Sequence, residues 1–165
     1  MIEQGKKIRS RDRSVSRGEK RAAARLAAVQ ALYQMELAGK GLNEVFAEFE
    51  SFWMGREIEG DQYKPAEVEF FRDVLQGVLT DQIAIDRQID QALSGGWPLA
   101  RVEAVMRAVL RAGAYELRAR KDVPPRVVIK EYVDVAGAFF GATESGMVNA
   151  VLDRIAREER AAELA

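Results

Sequence analysis

Apolar residues recur at three- and four-residue steps along most of this chain, the rhythm of amphipathic α-helices. The pattern is densest between Val102 and Arg120, through Val102, Val105, Met106, Val109, Leu110, Ala112, Gly113, Ala114 and Leu117. Small residues cluster at 112–114, and small side chains let a second helix backbone come close. This stretch is expected to be a central helix with others laid around it. No segment alternates with period two. The expected fold class is therefore all-α, a compact helical bundle of about six or seven helices.

The remaining elements follow from periodicity and punctuation. A first helix is expected from Glu19 to Ala38, with Ser16 and Glu19 as a capping box and Gly39 as its stop. Its apolar stripe is Leu26, Val29, Leu32, Tyr33 and Leu37. A second helix spans Leu42 to Trp53, and the charged segment Met54–Lys64 reads as a loop. Pro65 fits the first position of a long helix reaching Leu93, with a break near Thr80-Asp81, because both residues favour caps. Ser94–Pro98 and Asp122–Pro125 interrupt the chain again. A helix over 125–140 is expected to bury Val128, Ile129, Tyr132, Val133, Ala136, Phe139 and Phe140, and a last helix starts near Ser145.

At 165 residues with 48% apolar content, one folded domain with a real core is the default. Residues 19–160 are assigned to it. Residues 1–18 are polar, Ser/Arg-rich and expected to be an unfolded basic arm. Cysteine and histidine are absent, so thiol chemistry and the commonest general base and metal ligand are missing. Asp86 and Asp90 share a helical face, but an exposed acidic face is the commoner meaning of that spacing. No catalytic residue, metal or cofactor is expected. No apolar run reaches the length of a membrane span and the N-terminus lacks an apolar signal core, so the expectation is a cytoplasmic protein without a membrane partner.

Charge is unevenly spread although the net charge is −1. The first 25 residues hold nine Lys/Arg against three Asp/Glu, leaving an acidic remainder. A basic end on an acidic body is the asymmetry expected of a polyanion-binding protein. Arg17, Lys20, Arg21 and Arg25 fall within nine residues, and positions 17, 21 and 25 line one helical row. These side chains are expected to be exposed, where they can follow a phosphate backbone; a solvated face is the competing reading. Tyr33 lies near the same side and fits a core tyrosine equally well. Glu116 is expected to be structural, while Arg111 either pairs with an acid or reaches a partner.

Three segments together resemble the NusB family of bacterial transcription antitermination factors. They are Ala28-Val29-Gln30-Ala31-Leu32-Tyr33; Val109-Leu110-Arg111 with Tyr115-Glu116-Leu117, Asp122-Val123-Pro124 and Val128-Ile129; and Val148-Asn149-Ala150-Val151-Leu152-Asp153. Phe70-Phe71-Arg72-Asp73, with Gly77-Val78 beyond it, is a weaker fourth. The resemblance covers roughly residues 18 to 157. It implies a helical fold of two subdomains and an RNA-binding factor without enzymatic activity. The implied partners are boxA RNA of nascent ribosomal RNA transcripts, the small-subunit ribosomal protein NusE, and the transcribing RNA polymerase complex with other Nus factors. Positions matching the family's RNA contacts are Arg21, Arg25, Tyr33, Glu144, Ser145 and Met147. The family usually carries Phe-Val-Asn-Gly where this chain has Met147-Val148-Asn149-Ala150, and the loop Gly141–Gly146 is one residue short. A protein-binding helical adaptor, and a stand-alone relative of the RNA-binding domain of an rRNA methyltransferase, are the alternatives.

Overall fold

The computed structural model describes residues 17–57, 65–93 and 98–164. Ser16 and the 94–97 part of the Gly/Pro interruption lie outside the described residues, as does most of the basic arm. Eight α-helices occur in the described residues: α1 (Arg17–Ala38), α2 (Leu42–Glu57), α3 (Pro65–Thr80), α4 (Gln82–Ala92), α5 (Ala104–Ala119), α6 (Pro125–Phe139), α7 (Ala142–Glu159) and the short α8 (Ala161–Leu164). A single 3-10 turn (Leu99–Arg101) leads into α5.

Local chemistry explains most boundaries. Gly39 adopts φ 66°, the left-handed conformation that ends α1, and its N–H donates to the Met35 carbonyl. The expected break at Thr80-Asp81 separates α3 from α4; the Thr80 hydroxyl donates back to the Gln76 carbonyl at 2.8 Å. Pro125 opens α6 and extended Pro124 precedes it. Two boundaries differ from expectation by three residues or more. Helix α2 continues to Glu57, through residues read as loop, because charged side chains are compatible with a helix wherever no Gly/Pro pair stops it. Helix α7 starts at Ala142, so the supposed loop 141–146 forms its first turn, with Ser145 N–H bonded to the Gly141 carbonyl.

Helix α5 is central. An unbroken run from Ala112 to Leu117 is buried, and the helix packs against α1, α3, α4, α6 and α7. Two glycines permit the close approaches. A Cβ at Gly113 would stand 2.8 Å from Leu152 Cδ1 of α7 and 3.3 Å from Tyr132 Cδ2 of α6. A Cβ at Gly77 of α3 would overlap the Tyr115 ring of α5. Phe71 receives Phe46 edge-on at 6.1 Å and a tilted Phe49 at 5.3 Å, which fastens α2 to α3.

The apolar stripes are corrected at three positions. Leu37 is 59% and Phe139 42% exposed, and Leu26 is also on the surface. Leu37 lies in the last turn of α1 and Phe139 is the final residue of α6. Periodicity names a face but does not say how far the neighbouring helices extend to cover it. Alanines 24, 27, 28 and 31 instead share the buried side of α1 with Val29 and Leu32.

Candidate nucleic-acid interface

The basic start of α1 lies over α5 and α3, and its arginines have separate fates. Arg25 is 2% exposed, which overturns the expectation of a surface side chain. Its Nε donates to Glu116 Oε2 at 2.9 Å and a second guanidinium nitrogen to Oε1 at 3.0 Å. This is a two-pronged pair, the geometry that suits guanidinium and carboxylate best. The Tyr132 hydroxyl of α6 donates to the same Glu116 Oε2. Glu116 thus ties α1 and α6 to α5 and is structural, as its place in the apolar run suggested. Burial works to lower the Arg25 pKa, but the hydrogen bonds and charge of Glu116 outweigh it and hold it raised. The Tyr132 phenol is pushed well above its ordinary value, first by burial and then by the neighbouring Glu116 charge. Arg25 therefore stays charged and Tyr132 stays a neutral phenol at physiological pH.

One turn earlier, Arg21 stays at the rim. A guanidinium nitrogen stands 3.7 Å from Asp122 Oδ2. The same Asp122 oxygen accepts from Arg120 at 3.0 Å, and Arg120 also reaches Asp73 at 3.4 Å. The guanidinium carbons of Arg21, Arg25 and Arg120 lie 4.9, 5.0 and 5.0 Å from the centroid of the Phe70 ring. Phe70 is thus a buried aromatic hub for three cations, each within the range where a ring quadrupole attracts positive charge. Lys20 is largely buried, which also departs from expectation; Arg17 supplies the first residue of α1.

The other expected contacts form a second group. Glu144, Ser145 and Met147 occupy the first turns of α7 and are all partly buried. Glu144 sits where a helix N-terminus favours negative charge. Ser145 Oγ lies beside Gly137 of α6, and Met147 leans on the core. Tyr33 is partly buried against the core farther along α1, so its ring is neither fully interior nor free. Arg111 pairs with Asp86 at 2.8 and 2.9 Å and with Glu36 at 3.3 Å, resolving its open reading toward an acid partner. Asp90 accepts the Leu99 N–H at 2.7 Å. Asp86 and Asp90 thus spend their carboxylates on protein donors.

Three functional features escaped the sequence reading. Phe70 carries no site signal beyond its place before Phe71, although two adjacent helical aromatics cannot face the same way. Arg120 carries no site signal beyond its charge at the end of α5. Arg160, in the charged tail, is buried; it donates to the carbonyls of Arg120, Lys121 and Val123 at 3.4, 3.3 and 2.8 Å and pairs with Glu163. It clamps the turn that carries Arg120 and Asp122.

The described residues form an all-helical body in which the basic start of α1 is locked onto the central helix by Arg25 and Glu116. Residues 22–157 match the NusB family, and the chain belongs to it. It is a transcription antitermination protein and not an enzyme. The transcription antitermination protein NusB of Nitrobacter hamburgensis is 66% identical over 149 residues, covering 90% of this chain and 93% of that protein. The NusB of Bradyrhizobium sp. strain BTAi1 is 61% identical over 157 residues, covering 95% and 91%. Among solved structures, T. maritima NusB superposes with a TM-score of 0.74 at 30% identity, covering 87% of this chain and 96% of that one. A crystal structure of antitermination factors NusB and NusE in complex with dsRNA superposes with a TM-score of 0.70 at 25% identity, covering 84% and 97%. Arg25, Tyr33, Glu144, Ser145 and Met147 lie within the family match, whereas Arg17, Lys20 and Arg21 precede it. Among the described residues, no helix is long and apolar enough to cross a membrane.

Proposed function

We propose that this protein binds boxA RNA of nascent ribosomal RNA transcripts jointly with the ribosomal protein NusE, within the transcribing RNA polymerase complex and its other Nus factors. The RNA backbone follows the start of α1, where Arg17, Lys20 and Arg21 lie, and single-stranded bases meet Tyr33 and the first turns of α7 at Glu144, Ser145 and Met147. Arg25 serves this surface from beneath by fixing α1 to Glu116. The observation that carries the reading is the Arg21 guanidinium, held at the rim over Phe70, in a chain whose first 25 residues carry nine Lys/Arg against three Asp/Glu. Affinity for a protein with so small a basic footprint is shared with its partner. By linkage, whatever factor NusE adds to RNA affinity, RNA adds to the affinity for NusE.

The test is titration of labelled boxA RNA, with and without the ribosomal protein, across a range of salt. Weak, salt-dependent binding that the partner tightens is expected. Equal affinity with and without it defeats the shared surface, and salt-independent or absent RNA binding leaves a protein-binding adaptor. Met147→Phe adds a sharper probe. Base–aromatic stacking is worth roughly 1–3 kcal/mol, of which methionine recovers part, so the variant should bind RNA more tightly. If the half-buried Met147 only packs the core, its melting temperature changes and its RNA affinity does not.

A further inference from the structure

We propose that Arg120, at the C-terminal end of α5, is a further phosphate-binding residue that shares one RNA phosphate with Arg21, and that the Asp122 carboxylate holds that phosphate's place until RNA arrives. This rests on the reading that RNA follows the start of α1.

Three observations carry it. First, a single carboxylate oxygen, Asp122 Oδ2, is shared by guanidinium nitrogens of Arg21 and Arg120, at 3.7 and 3.0 Å. Two converging guanidiniums on one anionic oxygen is the arrangement a phosphodiester oxygen takes between two arginines, and planar forks favour phosphate as they favour carboxylate. Second, the internal anion is loosely held. The Asp122 side chain is 54% exposed, and exposed ion pairs are worth little. By contrast, Glu116, on the neighbouring Arg25, is fully buried and bonded to three donors, so no outside anion displaces it. Third, the Arg120 guanidinium is not satisfied as it stands. Its Nε is buried without a hydrogen-bond partner, and its bond to Asp73 is long at 3.4 Å. A buried donor left unmade is costly, so a new acceptor that lets the fork turn outward is favoured. Phe70 lies 4.9 and 5.0 Å from the two guanidinium carbons and attracts both cations without consuming a donor. The Arg160 clamp on the 120–123 carbonyls fixes the turn from which Asp122 would swing away.

The exchange is one of anions. Asp122 leaves the two guanidiniums for water, and a phosphate with the same charge enters. The test uses the full-length protein and labelled boxA RNA, with salt dependence and melting temperature measured on each variant. Asp122→Asn should tighten RNA binding several-fold, more than Asp153→Asn does, because Asp153 faces Arg157 on α7 and controls for the loss of any one negative charge. Arg120→Gln should weaken binding roughly tenfold, the order expected for losing a charged hydrogen bond, and should flatten the slope of log K against log salt by about 0.7, one single-strand phosphate. Arg120→Lys keeps the charge, loses the fork and should fall between the two. If Arg21→Ala weakens binding while Asp122→Asn, compared with Asp153→Asn, and Arg120→Gln leave affinity and slope alone, this proposal is wrong and the α1 surface stands. If Arg21→Ala also has no effect, the RNA lies elsewhere and both fall. Loss of melting temperature in Arg120→Gln without a change of slope in the folded protein assigns Arg120 to structure alone and overturns the proposal.

Discussion

Arg21 and Arg25 stand one turn apart on the same row of α1, above the same phenylalanine, yet they do different work. Arg25 is sealed against Glu116 and Tyr132, while Arg21 reaches an exposed aspartate at the rim. What separates them is the depth of the neighbouring helix at each level. At Arg25 the axis of α5 passes beneath and presents a carboxylate from inside the apolar run. At Arg21 that helix has ended and only the turn at 120–123 remains. A row of basic residues on a helix is therefore not one surface. Its inner member anchors the helix, while Arg21 stays at the rim beside an exposed carboxylate.

The largest effect should come from attacking the inner pair. Glu116→Ala strands a buried guanidinium and removes the acceptor of Tyr132, and breaking one partner of a buried pair costs about 3–5 kcal/mol. Chemical denaturation checks this, and a loss below about 1 kcal/mol would mean that the pair does not anchor α1. Arg25→Ala belongs to the same class, so a variant lacking both Arg21 and Arg25 cannot isolate RNA contacts: it loses the anchor together with the rim.

Next in size is Gly113→Leu, three residues before Glu116 on α5. The added side chain meets Leu152 and Tyr132, and overpacking costs on the order of 1–3 kcal/mol or more. Because Tyr132 belongs to the buried trio, a double-mutant cycle with Glu116→Ala should be non-additive. Strict additivity would show that the helix contact and the ion pair are independent.

Arg21→Ala should do the reverse of Glu116→Ala. Its stability loss should stay near or below about 1 kcal/mol, the scale of a partly exposed cation over a ring. Its salt slope for RNA should flatten by about 0.7. A large fall in melting temperature would place Arg21 with Arg25 and erase the distinction between them.

The smallest effect concerns Arg160, whose buried guanidinium has an exposed partner and so lies between the two cases. The hydrogen bond from Arg160 lowers the Glu163 pKa below its ordinary value of 4.5. A depressed carboxylate contributes stability above its unfolded pKa and loses it as pH falls through the folded value. Glu163→Gln should therefore melt slightly below the unaltered protein at neutral pH, and the gap should close in acid below about 4.5. A gap that persists there would mean that charge on Glu163 is not what holds the clamp.

The residue sequence alone determined the helices and most of their ends. Gly39, Thr80-Asp81 and Pro124-Pro125 act through backbone conformation and hydrogen bonding within a few residues, so their effect is readable wherever they occur. The centrality of α5 was equally legible, since only a helix approached from several sides tolerates so continuous a run of apolar and small residues. Tertiary structure alone decided which charges became structural. Glu116 lies 91 residues from Arg25, and no local feature of an arginine row records which member a distant carboxylate will meet. The same holds for Phe70 beneath three guanidiniums and for Arg160 on the 120–123 turn. Burial of a charge depends on the depth and direction of a neighbouring helix, and those are set by the packing of side chains far apart in the chain.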